Sequence, residues 1–237
     1  MAAELEIAGR WPSPIEIGRG WSRAEARTWN DDFPDGFVRL IRGSSGFLRD
    51  VSERLAELAE SDVYSPALLE SARRVWVRSG YAPAFDLSVM ERSVEADFEP
   101  APDVVPSTEH DIDAIAAIDR VAFEPFWRMG AAGLTEALKS TRASATLILK
   151  ADGVAGYAMV GAQWGTAYLQ RLAVVPEGWG RGLGTNLIRG ALAWAHRHAA
   201  SKMVLNVKPG NQRAIALYER HGFVQAREVA HVYRYAG

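Results

Sequence analysis

One glycine-rich stretch constrains this chain more than any other part of its sequence. Residues 174–185 read Val-Val-Pro-Glu-Gly-Trp-Gly-Arg-Gly-Leu-Gly-Thr and lie between an apolar segment and a segment with helical periodicity. Glycine permits backbone conformations that a Cβ forbids, and it lets backbone N–H groups come close to a ligand. The helix that follows adds N-terminal N–H groups and the positive end of its dipole. The stretch therefore predicts a strand-to-helix turn that binds a phosphate or a pyrophosphate.

Two familiar phosphate-binding loops do not fit the spacing of these glycines. A Walker loop ends in Gly-Lys-Ser/Thr, whereas Gly184 is followed by Thr185 and Asn186. A dinucleotide fingerprint requires an acidic residue about 20 positions later, and the next predicted strand, residues 203–207, has no carboxylate. A glycine-rich turn without a ligand is the structural alternative.

A second segment carries a motif with defined ends. Residues 211–223 read N-x-x-A-x-x-L-Y-E-x-x-G-F. Asn211 is a favourable N-cap residue, and Gly222 followed by apolar Phe223 predicts a Schellman-type C-cap. Taken alone, these features predict only a short helix that is capped at both ends.

Together the two segments resemble the acetyl-CoA-binding motifs of the GCN5-related N-acetyltransferases, the GNAT superfamily. The first motif is usually written Q/R-x-x-G-x-G/A, and Trp179 stands where Gln or Arg is usual. The resemblance covers residues 107–235 and implies an α+β fold, the GNAT fold, in which helices flank a mixed central sheet. Residues 122–127, Ala-Phe-Glu-Pro-Phe-Trp, are similar to the ribosomal-protein N-terminal acetyltransferases.

The resemblance also implies which residues bind acetyl-CoA. Pantetheine amides would pair with a strand that splays from its neighbour, at Leu172, Ala173 and Val174. The pyrophosphate would be held by the backbone of Gly180, Arg181, Gly182, Leu183, Gly184 and Thr185. Asn211 would contact the pantetheine arm, and Tyr218 would stand near the sulfur, where the family uses a tyrosine as general acid. The structural alternative for Tyr218 is an aromatic that only packs.

The general base is the least defined part of this site. The two usual carboxylate positions of the family correspond here to Asn206 and Gln170. An amide cannot accept a proton at neutral pH. Glu124 is therefore the candidate base, with a water chain as the chemical alternative and a solvated loop residue as the structural one.

Composition limits both the chemistry and the location. The chain has 237 residues and no cysteine, which excludes a thiol nucleophile and cysteine-ligated metals, so any acyl transfer is expected to be direct. No apolar run reaches the roughly 18 residues of a spanning helix, and the N-terminus lacks a basic region. We therefore expect a soluble, cytoplasmic protein without a membrane partner or a metal. Residues 103–237 carry 15 Lys+Arg against 11 Asp+Glu, net +4, without a long basic run. That excess fits an anionic ligand and argues against nucleic acid.

Periodicity and turn residues predict the order of the elements. Strands are predicted at residues 15–17, 37–41, 85–90, 145–149, 154–162, 166–175 and 203–207. Helices are predicted at residues 47–60, 65–80, 112–122, 134–138 and 184–198. An acidic, proline-bearing linker at residues 95–106 predicts a domain boundary near Pro102, with domains at 1–102 and 103–237.

The first domain resembles half of a second GNAT domain. Residues 72–81 run parallel to residues 214–223, and each segment is followed by a strand. Trp76 replaces the tyrosine and Leu69 replaces Asn211, so this half is predicted to be non-catalytic. It would pack on the catalytic domain, shape the acceptor site or form a homodimer. Chance similarity of two short helices is the alternative.

The sequence thus predicts an N-acetyltransferase that moves an acetyl group from acetyl-CoA to a primary amine by direct attack in a ternary complex. The amine acceptor is either a small molecule or a protein N-terminus. The alternative function is a non-catalytic regulatory module that binds acyl-CoA.

Overall fold

The chain forms two compact units in the computed structural model, which describes residues 4–95, 101–151 and 153–237. Unit 1 contains Met1–Leu87 and Glu228–Gly237, and unit 2 contains Ser88–Arg227. The chain thus passes from one unit to the other at residues 87–88 and again at residues 227–228, each time within a strand. Neither position is near Pro102, where the sequence predicts a boundary. Prolines mark an interruption of local structure, whereas strand pairing with distant residues decides to which unit a segment belongs.

Unit 1 begins with a run of strands. Its elements in chain order are β1 (Glu6–Ala8), β2 (Ile15–Arg19), β3 (Ser22–Thr28), β4 (Gly36–Arg42), α1 (Ser45–Ala59), β5 (Val63–Leu69), α2 (Arg74–Arg78) and β6 (Tyr81–Ser93). The sequence predicts only residues 15–17 as a strand in the region before residue 30. β3 escapes prediction because small residues, Ser22, Ala24 and Ala26, occupy its buried positions.

The predicted helix at residues 65–80 is wrong in its first half. Residues from Ser65 to Leu69 belong to β5, which pairs antiparallel with the C-terminal strand, Leu69 opposite Ala230. Ser65 is fully buried, and its Oγ accepts a hydrogen bond from the Tyr233 N–H at 2.9 Å. Ser65 therefore supports a strand ladder and does not cap a helix. Only Arg74–Arg78 is α-helical.

Unit 2 holds the remaining elements. They are β7 (Val104–Pro106), α3 (Ile112–Ala122), α4 (Ala131–Leu138), β8 (Ala143–Ala151), β9 (Gly153–Gln163), β10 (Thr166–Val174), α5 (Leu183–Arg197), β11 (Lys202–Val207), α6 (Gln212–Arg220) and β12 (Val224–Tyr235). β12 ends in unit 1. The predicted linker is a strand at its end, because Val104 and Pro106 lie opposite Leu149 and Leu147 of β8. Residues 96–100 of that linker lie outside the described residues.

The sheet of unit 2 is mixed, with helices on both faces. Its strand order is β6-β11-β10-β9-β8-β7, in which only β10 and β11 are parallel. α5 covers one face with buried Leu187, Ile188 and Leu192. α3 and α4 cover the other face with Ile115, Ile118 and Leu134. The predicted α+β class is therefore confirmed. Among the helices of the described residues, none has the length and apolar composition needed to cross a membrane.

The element order of unit 2 around its parallel strands repeats that of unit 1. β4-α1-β5-α2-β6 matches β10-α5-β11-α6-β12, and α1 and α5 both have 15 residues. The first two strands of each series are parallel. Both short helices end before a glycine with positive φ, Gly80 (+95°) and Gly222 (+77°). The ring centroids of Trp76 and Tyr81 lie 4.9 Å apart in an edge-on contact. Those of Tyr218 and Phe223 lie 5.8 Å apart in the same kind of contact. The sequence-predicted repeat is thus present in the order of the elements, in the parallel pairing of the first two strands and in the glycine after each short helix.

Candidate active site

The glycine-rich turn forms an open cradle between β10 and α5. A 3₁₀ turn, Pro176–Gly178, follows β10, and Gly182 is the N-cap of α5. Gly180 and Gly182 have φ values of +75° and +81°, which explains why glycine is needed at both positions. A Cβ at either position would meet no heavy atom of the described residues within 4 Å. The backbone here faces free space in which a ligand can lie.

The first turn of α5 presents N–H donors to this space. The first helical hydrogen bond runs from the Asn186 N–H to the Gly182 carbonyl, at 3.2 Å. The N–H groups of Leu183, Gly184 and Thr185 precede that bond and have no intrahelical acceptor. The Arg181 N–H differs because it donates to the Gly178 carbonyl at 3.3 Å. An anion at this helix start would meet three donors and the positive end of the dipole.

Gly184 has a packing role within the same turn. A Cβ at this position would lie 2.9 Å from Cδ2 of Leu217 on α6. The absence of a side chain therefore lets α5 and α6 approach each other closely. Gly184 brings the helix that carries Tyr218 next to the cradle.

β10 and β11 separate on the way to the cradle. In the described part of the chain their pairing covers four residue pairs, from Thr166/Lys202 to Leu169/Leu205. Beyond that point β10 continues to pair only with β9, up to Val174 opposite Gly156. Leu172, Ala173 and Val174 therefore lie along a gap between the two strands, as the family resemblance implies for a splayed strand.

A β-bulge lies where the gap begins. Leu169 and Arg171 oppose consecutive residues of β9, so Gln170 is the extra residue. Gln170 donates from Nε2 to Ser140 Oγ at 2.8 Å, and its Oε1 is buried without a hydrogen-bond partner in the described structure. Arg171 points to the same face and contacts Asp119 of α3. The bulge thus directs two consecutive polar side chains to the side of α3 and α4.

Tyr218 belongs to α6, and its side chain is part of the hydrophobic core. It is 7% exposed and packs against Phe223. Burial raises the pKa of Tyr218 to about 12, so its phenol keeps the proton at neutral pH. The Schellman cap predicted for this helix is confirmed, because the Phe223 N–H donates to the Tyr218 carbonyl at 3.1 Å and the Gly222 N–H donates to the Glu219 carbonyl at 2.9 Å.

Asn211 is the N-cap of the same helix. Its Oδ1 accepts a hydrogen bond from the Ala214 N–H at 3.1 Å, as the sequence predicts. The side chain is exposed, and its amide nitrogen is the group that remains for a ligand.

His221, for which the sequence predicts no role, connects the two motifs. Its Nε2 lies 3.1 Å from Thr185 Oγ1 in the first turn of α5. The guanidinium of Arg92 in β6 donates to the His221 carbonyl at the end of α6. Burial and the nearby charges of Arg92, Arg220 and Arg189 lower the pKa of His221. A neutral imidazole therefore holds the cradle and the tyrosine helix together at neutral pH.

Glu124 lies in the loop after α3 and is exposed. Its carboxylate forms an ion pair with Lys208 Nζ at 2.7 Å, and Lys208 follows directly after β11. Asn206, at the other usual base position, is exposed on β11. The loop that carries Glu124 is thus linked to the end of β11.

The same loop is anchored to β10 by a buried ion pair that sequence reasoning missed. Asp119 is fully buried and binds Arg171, which donates from Nη2 to Asp119 Oδ1 at 2.9 Å and to the Trp127 carbonyl at 2.5 Å. The Met129 N–H and the Tyr157 hydroxyl also donate to Asp119. In the sequence, Asp119 directly follows Ile118, which lies on the apolar side of a predicted helix. This position next to an apolar residue is the only sequence signal for its burial.

The model of the Acetyltransferase (GNAT) family matches residues 112–223. No curated protein matches the chain by sequence. Among solved structures, a GCN5-related N-acetyltransferase from Sphaerobacter thermophilus is 17% identical, with 94% of this chain and 80% of that chain covered and a TM-score of 0.54.

Two further solved structures are similar. A tandem GNAT protein from the clavulanic acid biosynthesis pathway is 15% identical, with 93% of this chain and 81% of that chain covered and a TM-score of 0.57. The ribosomal-protein-S18-alanine N-acetyltransferase from Escherichia coli is 24% identical over 55% of this chain and 90% of that chain, with a TM-score of 0.47. At such low identities, the likeness to the Sphaerobacter and tandem proteins establishes the fold alone.

Proposed function

We propose that the chain transfers an acetyl group from acetyl-CoA to a primary amine, since residues 112–223 match the model of the Acetyltransferase (GNAT) family. Three features of unit 2 support the proposal: an open anion cradle, a gap between the parallel strands β10 and β11, and a buried tyrosine that keeps its proton. No group of three His, Asp or Glu residues that could hold a metal occurs in the described residues.

The chain's own groups fit the parts of acetyl-CoA. The open space at Gly180 and Gly182 and the donors from Leu183 to Thr185 suit a pyrophosphate. The backbone of Leu172–Val174 along the gap suits the pantetheine amides. Asn211 offers an exposed side-chain amide at the start of α6. These assignments agree with the positions that the sequence motifs imply.

The reaction requires the amine nitrogen to attack the acetyl carbonyl carbon while the carbon–sulfur bond breaks. The amine loses one proton to a base, and the sulfur leaves as a thiolate that takes a proton from solvent. Tyr218 donates a hydrogen bond to the developing thiolate, which lowers the barrier to bond cleavage. Since its pKa of about 12 is well above that of a thiol, about 8.5, hydrogen bonding is favoured over complete proton transfer.

Glu124 is the proposed acceptor of the amine proton. Its carboxylate lies 2.7 Å from Lys208 Nζ, after the end of β11, and has oxygen atoms that can accept a proton. The amides of Asn206 and Gln170 cannot perform this step. A water chain from the gap to solvent is the alternative route for the proton.

Residues 1–102, which include most of unit 1, are proposed to be non-catalytic. Trp76 offers no hydroxyl at the position that matches Tyr218. Ser44 caps α1 with its own side chain, accepting a hydrogen bond from the Phe47 N–H at 3.2 Å. The helix start that matches the cradle thus already has an acceptor within the protein.

A regulatory module that binds acyl-CoA without turnover is the second candidate function. It is favoured by the two amides at the usual base positions and by the exposure of Glu124. The retention of Tyr218 favours the enzyme.

Calorimetric titration with acetyl-CoA, followed by a thiol-release assay with small amines and with peptides that have free N-termini, tests the proposal. Binding with acceptor-dependent thiol release supports the enzyme. Binding without release from any acceptor supports the regulatory module, and a folded chain without binding contradicts both.

A further inference from the structure

Trp179 is an exposed aromatic residue beside the phosphate cradle. It directly precedes Gly180 and is 42% exposed, although it is flanked by buried Gly178. Its indole N–H donates to the Val174 carbonyl of β10 at 2.9 Å. The ring is therefore held in a fixed place without being buried.

A cation covers one face of this ring. The guanidinium carbon of Arg213, in the first turn of α6, lies 3.4 Å from the ring centroid. A guanidinium stacks favourably on the electron-rich face of an indole. Trp179 is thus contacted by both β10 and α6, and part of its surface is still open to solvent.

We propose that Trp179, backed by Arg213, is a stacking platform for the adenine base of acyl-CoA. This inference rests on the proposed function, since it requires the pyrophosphate to lie at Gly180–Thr185. In a nucleotide the base lies within a few bonds of its phosphates, so an aromatic ring adjoining the phosphate site is within reach of the base. Purines stack on aromatic side chains, and the binding is stronger when the ring is already ordered.

The positive charge of Arg213 adds to this assignment. Arg213 is exposed, so it can remain stacked on Trp179 while its charge acts on a nearby phosphate. A tryptophan and an arginine together thus provide a flat surface and a positive charge at the nucleotide end. The sequence motif of the family has Gln or Arg in place of Trp179, and neither offers an aromatic face.

The test compares two ligands that share the thioester arm. Acetyl-CoA contains adenine, whereas acetyl-4′-phosphopantetheine has the arm and one phosphate without adenosine. Calorimetry gives the acetyl-CoA affinity of the full chain, and competition against acetyl-CoA gives the affinity of the shorter ligand. The variants are Trp179→Leu and, as a matched control, Trp164→Leu, since Trp164 is 82% exposed in the turn between β9 and β10.

We expect Trp179→Leu to weaken acetyl-CoA binding roughly 5- to 100-fold, the range of one stacked base. Binding of acetyl-4′-phosphopantetheine is expected to change by less than about two-fold, within the error of such a comparison. Trp164→Leu is expected to leave both affinities unchanged. Trp179→Phe keeps a ring and is expected to retain most of the affinity for acetyl-CoA.

Three results would overturn the inference. An equal loss for both ligands would mean that Trp179 only supports the cradle, and unchanged acetyl-CoA binding would mean that adenine does not stack there. A loss in Trp179→Phe as large as in Trp179→Leu would assign the effect to the indole N–H. Should Trp179→Leu fail to fold, Trp179→Gln also removes the ring and is expected to show the same selective loss, and its absence would contradict the platform. If the wild-type chain does not bind acetyl-CoA, the proposed function itself fails, whereas binding that ignores Trp179 defeats this inference alone.

Discussion

Ser44 and Gly182 hold the same position, the N-cap, in two helices that are each 15 residues long. The side chain of Ser44 accepts a hydrogen bond from its own helix, at the Phe47 N–H. Gly182 has no side chain, and the donors of its helix face open space. One repeat therefore satisfies its helix start internally, whereas the other leaves it available to an anion.

We predict one acetyl-CoA site per chain, located at this second helix start. Gly182→Val should abolish binding, because its Cβ enters the open space and its backbone is strained at φ +81°. Gly165→Val is the matched control, with φ +75° and equally open surroundings in a turn away from the cradle. Calorimetry should give a stoichiometry of one, and two sites would show that unit 1 binds as well.

Tyr218→Phe is predicted to lower turnover by about 10²- to 10⁴-fold, the range for a proton or hydrogen-bond donor in catalysis. Acetyl-CoA affinity should stay within a few-fold, since the ring still fills its buried site against Phe223. Steady-state kinetics and calorimetry measure the two effects. Tyr235→Phe, which removes a hydroxyl in unit 1, serves as control. Equal turnover in wild type and Tyr218→Phe would remove the tyrosine from the mechanism.

Glu124→Gln is predicted to lower kcat/KM because the amide cannot accept the amine proton. Lys208→Met keeps the carboxylate and removes only its ion-pair partner, so its effect should be smaller. The comparison requires pH–rate profiles of both variants. Similar losses in the two variants would mean that the ion pair holds the loop and that the base lies elsewhere.

Stability should depend on pH through His221. Burial and neighbouring guanidinium groups lower its folded-state pKa below the ordinary value of 6.5. Below about pH 6.5 the unfolded chain therefore binds a proton at His221 that the folded chain does not. The contribution of His221 thus lowers the stability as the pH falls below about 6.5, and it does not change with pH above that value. Urea unfolding between pH 5 and 8 should show a weaker pH dependence in His221→Gln than in wild type. An identical slope in both proteins would contradict the assignment.

Breaking the buried Asp119–Arg171 pair on one side only is predicted to destabilise the fold strongly. Asp119→Ala leaves a buried guanidinium without its partner and should cost about 3–5 kcal/mol of unfolding free energy. Removing both charges in Asp119→Leu/Arg171→Met should cost less than Asp119→Ala. Glu57→Ala breaks an exposed pair with Arg54 and should cost no more than about 1 kcal/mol. A double variant less stable than the single one would contradict this account.

Much of the candidate site is predictable from sequence because its geometry comes from residues close together in the chain. The cap of α6 uses Asn211 with Ala214, and its end uses Gly222 with Tyr218. Thr108 and Asp111 form a capping box before α3. Such interactions depend on spacing alone, so a sequence pattern states them completely.

The rest was decided by contacts between distant residues. β5 is a strand because residues more than 160 positions away pair with it, as Tyr233 does with Ser65. Asp119 and Arg171 are 52 positions apart, and their burial depends on which helix face meets the sheet. Local sequence determined where this chain turns, caps its helices and offers donors to an anion. Tertiary structure alone decided which strands pair and which charges are buried, because those free energies arise only when separate segments pack together.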